Sequence, residues 1–228
     1  MSTRRVLLVG ATQGLGLALA RHYLAEGWDV VATTVSPSPA LEALEGITVL
    51  PLDITDERQA LALRDTLAGQ RIDVLHIVSG ILPQGDVPIW ERSDEEILRV
   101  LQTNAIGGVR LATLLEPLVP EGGTFAFTSS GMGSMARNTL AGADLYRVSK
   151  AALNMLVRSF AVTHGAPSGS ARAVLIICPG WAKTEMGGAD ATVEIADSVA
   201  GIYRLVSTAE PSPKGAPFLE YTGETVPW

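Results

Sequence analysis

Several kinds of chemistry have little to work with in this chain. Its 228 residues include one cysteine, Cys178, and three histidines; aromatic residues make up 5% and charged residues 18%. A single cysteine excludes an internal disulfide and suits a reducing compartment, which points to the cytoplasm. His22, His76 and His164 are scattered, and no ligand spacing suggests a metal. A net charge of −7 with no basic block argues against nucleic acid and anionic membranes as partners. No apolar run reaches the roughly eighteen residues that span a bilayer, and the run after Arg4-Arg5 is too short for the apolar core of a signal peptide. Repeats, low-complexity stretches and linkers are missing too, so residues 1–228 are expected to form one domain.

What is present is alternation. Arg5 to Val9 reads as a short buried strand running into Gly10-Ala11-Thr12-Gln13-Gly14-Leu15-Gly16, after which Leu15, Leu19, Tyr23 and Leu24 repeat at helical spacing until Gly27. Strand, glycine turn and helix form the first half of a nucleotide-binding unit. The glycines let backbone approach a pyrophosphate, and the helix N-terminus offers free N–H groups. The spacing is G-x-x-x-G-x-G, not the G-x-G-x-x-G of the usual fingerprint. Further strands are expected at Asp29 to Thr33, Thr48 to Leu50, Val74 to Val78, Thr124 to Thr128, Arg172 to Cys178 and Phe218 to Tyr221. Helices are expected over Asp56 to Leu67 (capped by Thr55), from the capping box Ser93-Asp94-Glu95-Glu96 through Asn104 towards Leu115, over Leu145 to about His164, and over Val193 to Val206. This is an α/β pattern: a Rossmann fold with a doubly wound parallel sheet of about seven strands and helices on both faces.

Ligands of such sheets bind beyond the carboxyl ends of the strands. Asp53, Ser129, Ser130 and Thr184 fall there, whereas Asn104 sits inside a helix, where asparagine has no intrinsic advantage. Tyr146 and Lys150, four residues apart in a helix, share one face. An ammonium beside a phenol favours the phenolate, which would make Tyr146 a general acid/base near neutrality. An isolated Tyr-x-x-x-Lys is an ordinary surface pair; its meaning depends on the cofactor turn and polar partners around it.

Together these residues resemble the short-chain dehydrogenase/reductase family over essentially the whole chain. Gly10 through Gly16 match its glycine motif, Leu52-Asp53-Ile54-Thr55 its adenine-contacting segment, and Asn104, Ser130, Tyr146 and Lys150 its catalytic tetrad. Pro179-Gly180-Trp181-Ala182-Lys183-Thr184 resembles its Pro-Gly motif. The segments Tyr146 to Met155, Pro179 to Gly188 and Tyr221 to Trp228 look most like the C-factor and sniffer-type carbonyl reductase subgroup. One element departs: Ile77-Val78-Ser79-Gly80 stands where the family has Asn-Asn-Ala-Gly, which puts local cofactor packing in doubt.

The resemblance implies an NAD(P)(H)-dependent oxidoreductase that interconverts a ketone or aldehyde and an alcohol. Tyr146 would move the proton, Ser130 would orient the substrate oxygen, Lys150 would lower the tyrosine pKa and hold the nicotinamide ribose, and Asn104 would anchor a water behind Lys150. Cofactor contacts are expected from Gly10, Thr12, Gln13, Gly14, Leu15, Gly16, Thr33, Thr34, Asp53, Ile54, Ser79, Gly80, Tyr146, Lys150, Pro179, Gly180, Trp181 and Thr184. The end of the second strand carries no acid to repel a 2′-phosphate, while Thr33, Thr34 and Ser36 offer hydroxyls, so NADP(H) is favoured over NAD(H). The substrate pocket is expected from the segment after Ser130 and the loop after Thr184, with Trp90 and Trp181 as candidate walls. Family members often pair through the Tyr/Lys helix and the helix before it, so a homo-oligomer, dimer or tetramer, is expected. The competing possibilities are a cofactor-binding regulatory or intercellular signalling protein of C-factor type, and a dehalogenating relative. Dehalogenating relatives lose the lysine and the glycine loop that this chain keeps.

Overall fold

The computed structural model describes residues 3–228; Met1 and Ser2, which open the expected domain, lie outside the described residues. Seven parallel strands form one sheet in the order β3-β2-β1-β4-β5-β6-β7. They are β1 Arg5–Val9, β2 Asp29–Thr34, β3 Ile47–Pro51, β4 Val74–Ile77, β5 Thr124–Thr128, β6 Ala173–Cys178 and β7 Phe218–Glu220. The expected strands are all there, displaced at their ends by one residue at most. Between β1 and β4 the chain order reverses, the place where such sheets open a crevice for a ligand.

The principal helices are α1 Gly14–Ala25, α2 Pro39–Glu42, α3 Glu57–Thr66, α4 Asp94–Leu101, α5 Gly107–Leu115, α6 Asp144–His164 and α7 Ile195–Ser207. Only the short α2 had no counterpart in the periodicity, because four residues hold too few apolar positions to show one. The strands are almost wholly apolar because both sheet faces are covered. One core packs Leu7, Leu75, Phe125 and Ile176 against Leu63 of α3, Leu111 of α5 and Leu153, Val157 and Phe160 of α6. The other packs Leu8, Val30, Ala126 and Ile177 against Leu19 and Tyr23 of α1 and Val199 and Ile202 of α7.

Two local expectations are corrected. Asp56, not Thr55, caps α3: its carboxylate accepts from the Arg58 and Gln59 amides, while the Thr55 hydroxyl donates to Asp53 Oδ1 at 2.7 Å. The carboxylate, with two acceptor oxygens, takes the orphan amides of the first turn. The long helix expected from Ser93 to Leu115 is interrupted: between α4 and α5 the backbone widens into a π-helical turn, Gln102–Ile106, with Asn104 at its centre. Ser93 does cap α4, accepting from the Glu96 amide at 3.2 Å, but the Glu96 carboxylate turns to Arg92 at 2.5 Å.

Candidate active site

The turn after β1 is built so that only glycine fits at its key points. Gly10 has φ +92°, and a Cβ there would stand 2.5 Å from Ser79 Oγ; a Cβ on Gly16 would stand 2.2 Å from the Gly10 carbonyl oxygen. The Gly10 amide donates to Thr33 Oγ1 at 3.2 Å and the Ala11 amide to the Thr33 carbonyl at 2.9 Å, tying the turn to β2. Thr12 accepts from the Ser38 hydroxyl at 2.6 Å through its carbonyl. Gln13 precedes α1 without making a side-chain cap, so the first-turn amides point outward unclaimed by it, with Leu15 packed beneath. Close backbone, free amides and a positive dipole end fit the pyrophosphate of a dinucleotide.

The other expected cofactor residues lie around this turn in two ways. Of the hydroxyls expected to face a phosphate, that of Thr33 is taken by Gly10, Thr34 is buried, and Ser36 is exposed. Asp53, just past β3, accepts at Oδ1 from the Thr55 amide at 2.9 Å, and the Ile54 carbonyl abuts Gly107 of α5. Ser79 donates from both its amide and its hydroxyl to the Val9 carbonyl, at 3.0 and 3.1 Å. The apolar departure before it is absorbed: Ile77 is buried, and a Cβ on Gly108 would lie 2.8 Å from Ile77 Cγ2, so glycine in α5 makes room for isoleucine in β4.

Gly80 leads to the chemistry. A Cβ there would meet Lys150 Nζ at 3.3 Å and Asn104 Oδ1 at 3.5 Å. Lys150 is buried, its ammonium donates to the Thr128 carbonyl at 3.1 Å, and it lies 5.8 Å from the Tyr146 ring centroid. Asn104 is buried, not a solvated helix position. Its side chain clamps Ile81, accepting from the amide at 2.7 Å and donating to the carbonyl at 2.8 Å, and donates to Ser149 Oγ at 3.0 Å. Ser130 opens a short turn, Gly131–Gly133, its hydroxyl accepting from the Met132 amide at 3.2 Å and facing the Tyr146 phenol.

The electrostatics differ from the expectation. Burial pushes the Tyr146 phenol up to about 12, the Ser130 hydroxyl works against that rise, and Cys178 adds to it. Burial lowers the Lys150 ammonium to about 8. Desolvation is the largest influence on both groups, and it moves each away from its charged form. A protonated phenol beside a hydroxyl donor is the form needed to give a proton to a substrate oxygen.

The Pro-Gly segment closes the other side. Gly180 has φ +72°, with Tyr221 Cε1 2.9 Å from the place a Cβ would take, and the Ser198 hydroxyl donates to the Pro179 carbonyl at 2.7 Å. Thr184 Cβ lies 3.6 Å from the Cβ position of Gly14, which brings the segment onto the glycine turn. Trp181 is half exposed and donates to the Gly187 carbonyl at 2.8 Å; Trp90 is 78% exposed. Neither tryptophan is core packing.

Sequence reasoning passed over four participants. Cys178 accepts from the Gly131 amide at 3.1 Å and lies 3.4 Å from Glu220 Oε1, and burial followed by Glu220 pushes its thiol up to about 11. Arg137 pairs with Glu220 at 2.7 Å. Glu185 accepts from Gln13 Nε2 at 2.8 Å, and Asp86 accepts from the Ala143 amide at 3.0 Å, just ahead of α6. All five contacts join residues at least 40 positions apart (Gln13 and Glu185 are separated by 172), and no periodicity signals such pairs.

A dinucleotide-type sheet with a glycine cradle on one side of its crevice and a partly buried Ser/Tyr/Lys group on the other defines a hydride-transfer oxidoreductase. The sequence agrees: a family model described as "Enoyl-(Acyl carrier protein) reductase" matches residues 10–213, and the chain belongs to the short-chain dehydrogenase/reductase family. It is 41% identical to C-signal of Myxococcus xanthus over 58% of this chain and 79% of that protein. It is 30% identical to 1-hydroxy-2-glutathionyl-2-methyl-3-butene dehydrogenase of Rhodococcus sp. (strain AD45) over the full length of both. A short-chain dehydrogenase/reductase from Burkholderia multivorans, solved with bound NADP, superposes over 100% of both chains with a TM-score of 0.93 at 37% identity.

Proposed function

We propose that this chain is a carbonyl reductase and alcohol dehydrogenase that works with NADP(H), Tyr146 being its proton donor and acceptor. The observation that carries this is the meeting of Ser130 and Lys150 on Tyr146, from β5 and α6, at the mouth of a glycine cradle. When bound, the nicotinamide supplies the hydride to the carbonyl carbon, or takes it back. Tyr146 gives its phenolic proton to the carbonyl oxygen as negative charge develops there. Ser130 donates a hydrogen bond to the same oxygen, the oxyanion type of stabilisation. Lys150 would hold the cofactor ribose, and its ammonium would support the phenolate left behind. Asn104 fixes Ile81 and the π turn, which keeps Gly80 against Lys150; this role stands beside the water-anchoring one expected from the family.

The NADP-bound relative of full-length similarity supports the cofactor, as does the absence of an acid at Thr33-Thr34-Val35-Ser36. The remaining contacts proposed for the cofactor are Gly10 through Gly16, Asp53, Ile54, Ser79, Gly80, Pro179, Gly180, Trp181 and Thr184. Reduction of a ketone panel by wild type and Tyr146→Phe tests the reading: near-wild-type turnover by the variant overturns it. A signalling protein without catalysis would leave the Ser130, Tyr146 and buried Lys150 group without a purpose.

We also propose a homo-oligomer built on α6. Val148, Met155 and Val162 recur every seven residues on its outer side, 47%, 64% and 61% exposed. Among the described residues no helix is long and apolar enough to cross a membrane, and the lone buried Cys178 fits a cytoplasmic location.

A further inference from the structure

Between Ser130 and Tyr146 the chain carries one cation, Arg137. Its Nη1 lies 3.3 Å from the place a Cβ on Gly131 would take, so the guanidinium rests against the backbone immediately after the serine. A side chain on residue 131 would fill that space; glycine leaves it to the arginine. The guanidinium is held there on purpose-built supports. Glu220 takes Nη1 at 2.7 Å and is itself set against Cys178 Sγ at 3.4 Å, which in turn accepts from the Gly131 amide. The loop beneath is pinned, the Arg137 amide donating to Ser134 Oγ at 3.2 Å and the Ala136 amide to the Trp228 carbonyl at 2.9 Å.

Only one N–H of the five is spent. Nε and Nη2 have no hydrogen-bond partner among the described residues, and the side chain keeps 40% of its surface open. A planar fork with a free edge is the geometry that matches a carboxylate bidentately. Other cations have different settings: Lys150 donates to Thr128, Lys183 pairs with Glu194, and Arg147 bonds the Gly142 carbonyl from Nε.

We infer that Arg137 is a substrate-recognition residue and that the carbonyl substrate carries a carboxylate. This rests on the carbonyl-reductase reading above and adds to it the chemical class of the substrate. Gly131, against which the guanidinium rests, follows Ser130 directly in the chain, so the acid is taken to be short, as in an oxo acid.

The experiment compares levulinate with methyl levulinate, as kcat/KM with NADPH, in wild type, Arg137→Gln and Glu220→Gln. Wild type is expected to favour the acid, and Arg137→Gln to collapse the acid-to-ester ratio by about ten- to hundredfold, the value of one charged hydrogen-bonding partner. Because acid and ester are compared within one protein, a loss of folded material cancels. Glu220→Gln removes the competing carboxylate and is expected to raise the ratio. An unchanged ratio in Arg137→Gln, or a ratio that falls in Glu220→Gln, overturns the inference. Calorimetric binding of levulinate to the NADP+ complex reads the same arginine without turnover. Absent turnover of both compounds, levulinate binding that is lost in Arg137→Gln upholds the recognition site while the reductase reading fails; levulinate binding that Arg137→Gln leaves intact overturns the site.

Discussion

Lys150 Nζ is hydrogen-bonded to the Thr128 carbonyl at 3.1 Å and stands 5.8 Å from the centre of the Tyr146 ring, so the two groups share a buried wall rather than a direct bond. Thr128 carries a second buried contact: its hydroxyl meets His76 Nε2 at 3.0 Å. The last residue of β5 thus joins the site to the interior of the sheet.

Lys150→Met should abolish carbonyl reduction yet stabilise the fold at pH 7. The lysine pKa falls from 10.5 to about 8 on folding because burial penalises its charge. Between those values the unfolded chain holds the proton and the folded one does not, so wild-type stability rises with pH across pH 8 to 10.5. The methionine variant lacks that slope, and its advantage, at most ~3 kcal/mol, should shrink over the same window. Urea midpoints of both proteins at pH 7, 8 and 9.5 check this; a gap that widens with pH refutes it.

His76 should make the protein acid-sensitive. It is fully buried, Nδ1 has no hydrogen-bond partner among the described residues, and burial lowers its pKa from 6.5 to about 3. The unfolded chain takes up a proton below pH 6.5 that the folded chain refuses, so stability is lost as pH falls from 6.5 towards 3. His76→Gln, which keeps one polar contact without titrating, should melt at a temperature less dependent on pH between 6.5 and 4.5.

Gly10→Ala should lose cofactor binding. The new methyl meets Ser79 Oγ at 2.5 Å and Ser79 Cα at 2.8 Å, at a φ of +92° that alanine rarely adopts. Both effects move the turn away from β4, at a cost of roughly 1–3 kcal/mol. NADPH fluorescence titration should show affinity down at least tenfold, with the far-UV circular dichroism retained.

Glu185→Ala should bind NADPH several-fold more tightly at low salt. Glu185 holds Gln13 at 2.8 Å and places a carboxylate beside the turn expected to receive phosphates. Removing it relieves like-charge repulsion, and the gain should fade by about 0.5 M salt as screening shortens the range.

Met155→Glu should weaken self-association if the open stripe of α6 is an interface, since a carboxylate buried between helices is costly. Sedimentation of wild type and variant measures it, and two identical distributions would count against the α6 interface.

How far could residues alone be followed? Every strand, the glycine turn and the longer helices, with α4 and α5 read as one, follow from periodicity and from glycine and proline placement, because parallel strands covered on both faces must be apolar throughout and helices must be amphipathic. The roles of Tyr146, Lys150 and Ser130 were legible through the family resemblance, since a Tyr-x-x-x-Lys spacing by itself is an ordinary surface pair. Distant hydrogen bonding lay beyond that reach. The π turn that buries Asn104, the desolvation that raises Tyr146 and lowers Lys150, and the Arg137–Glu220–Cys178 group all depend on which strands become neighbours. The sequence by itself determined the architecture and the kind of reaction, since these are written in local patterns. Tertiary structure decided the shifted protonation equilibria and the long-range pairs, since desolvation and pairing belong to residues that only folding brings together.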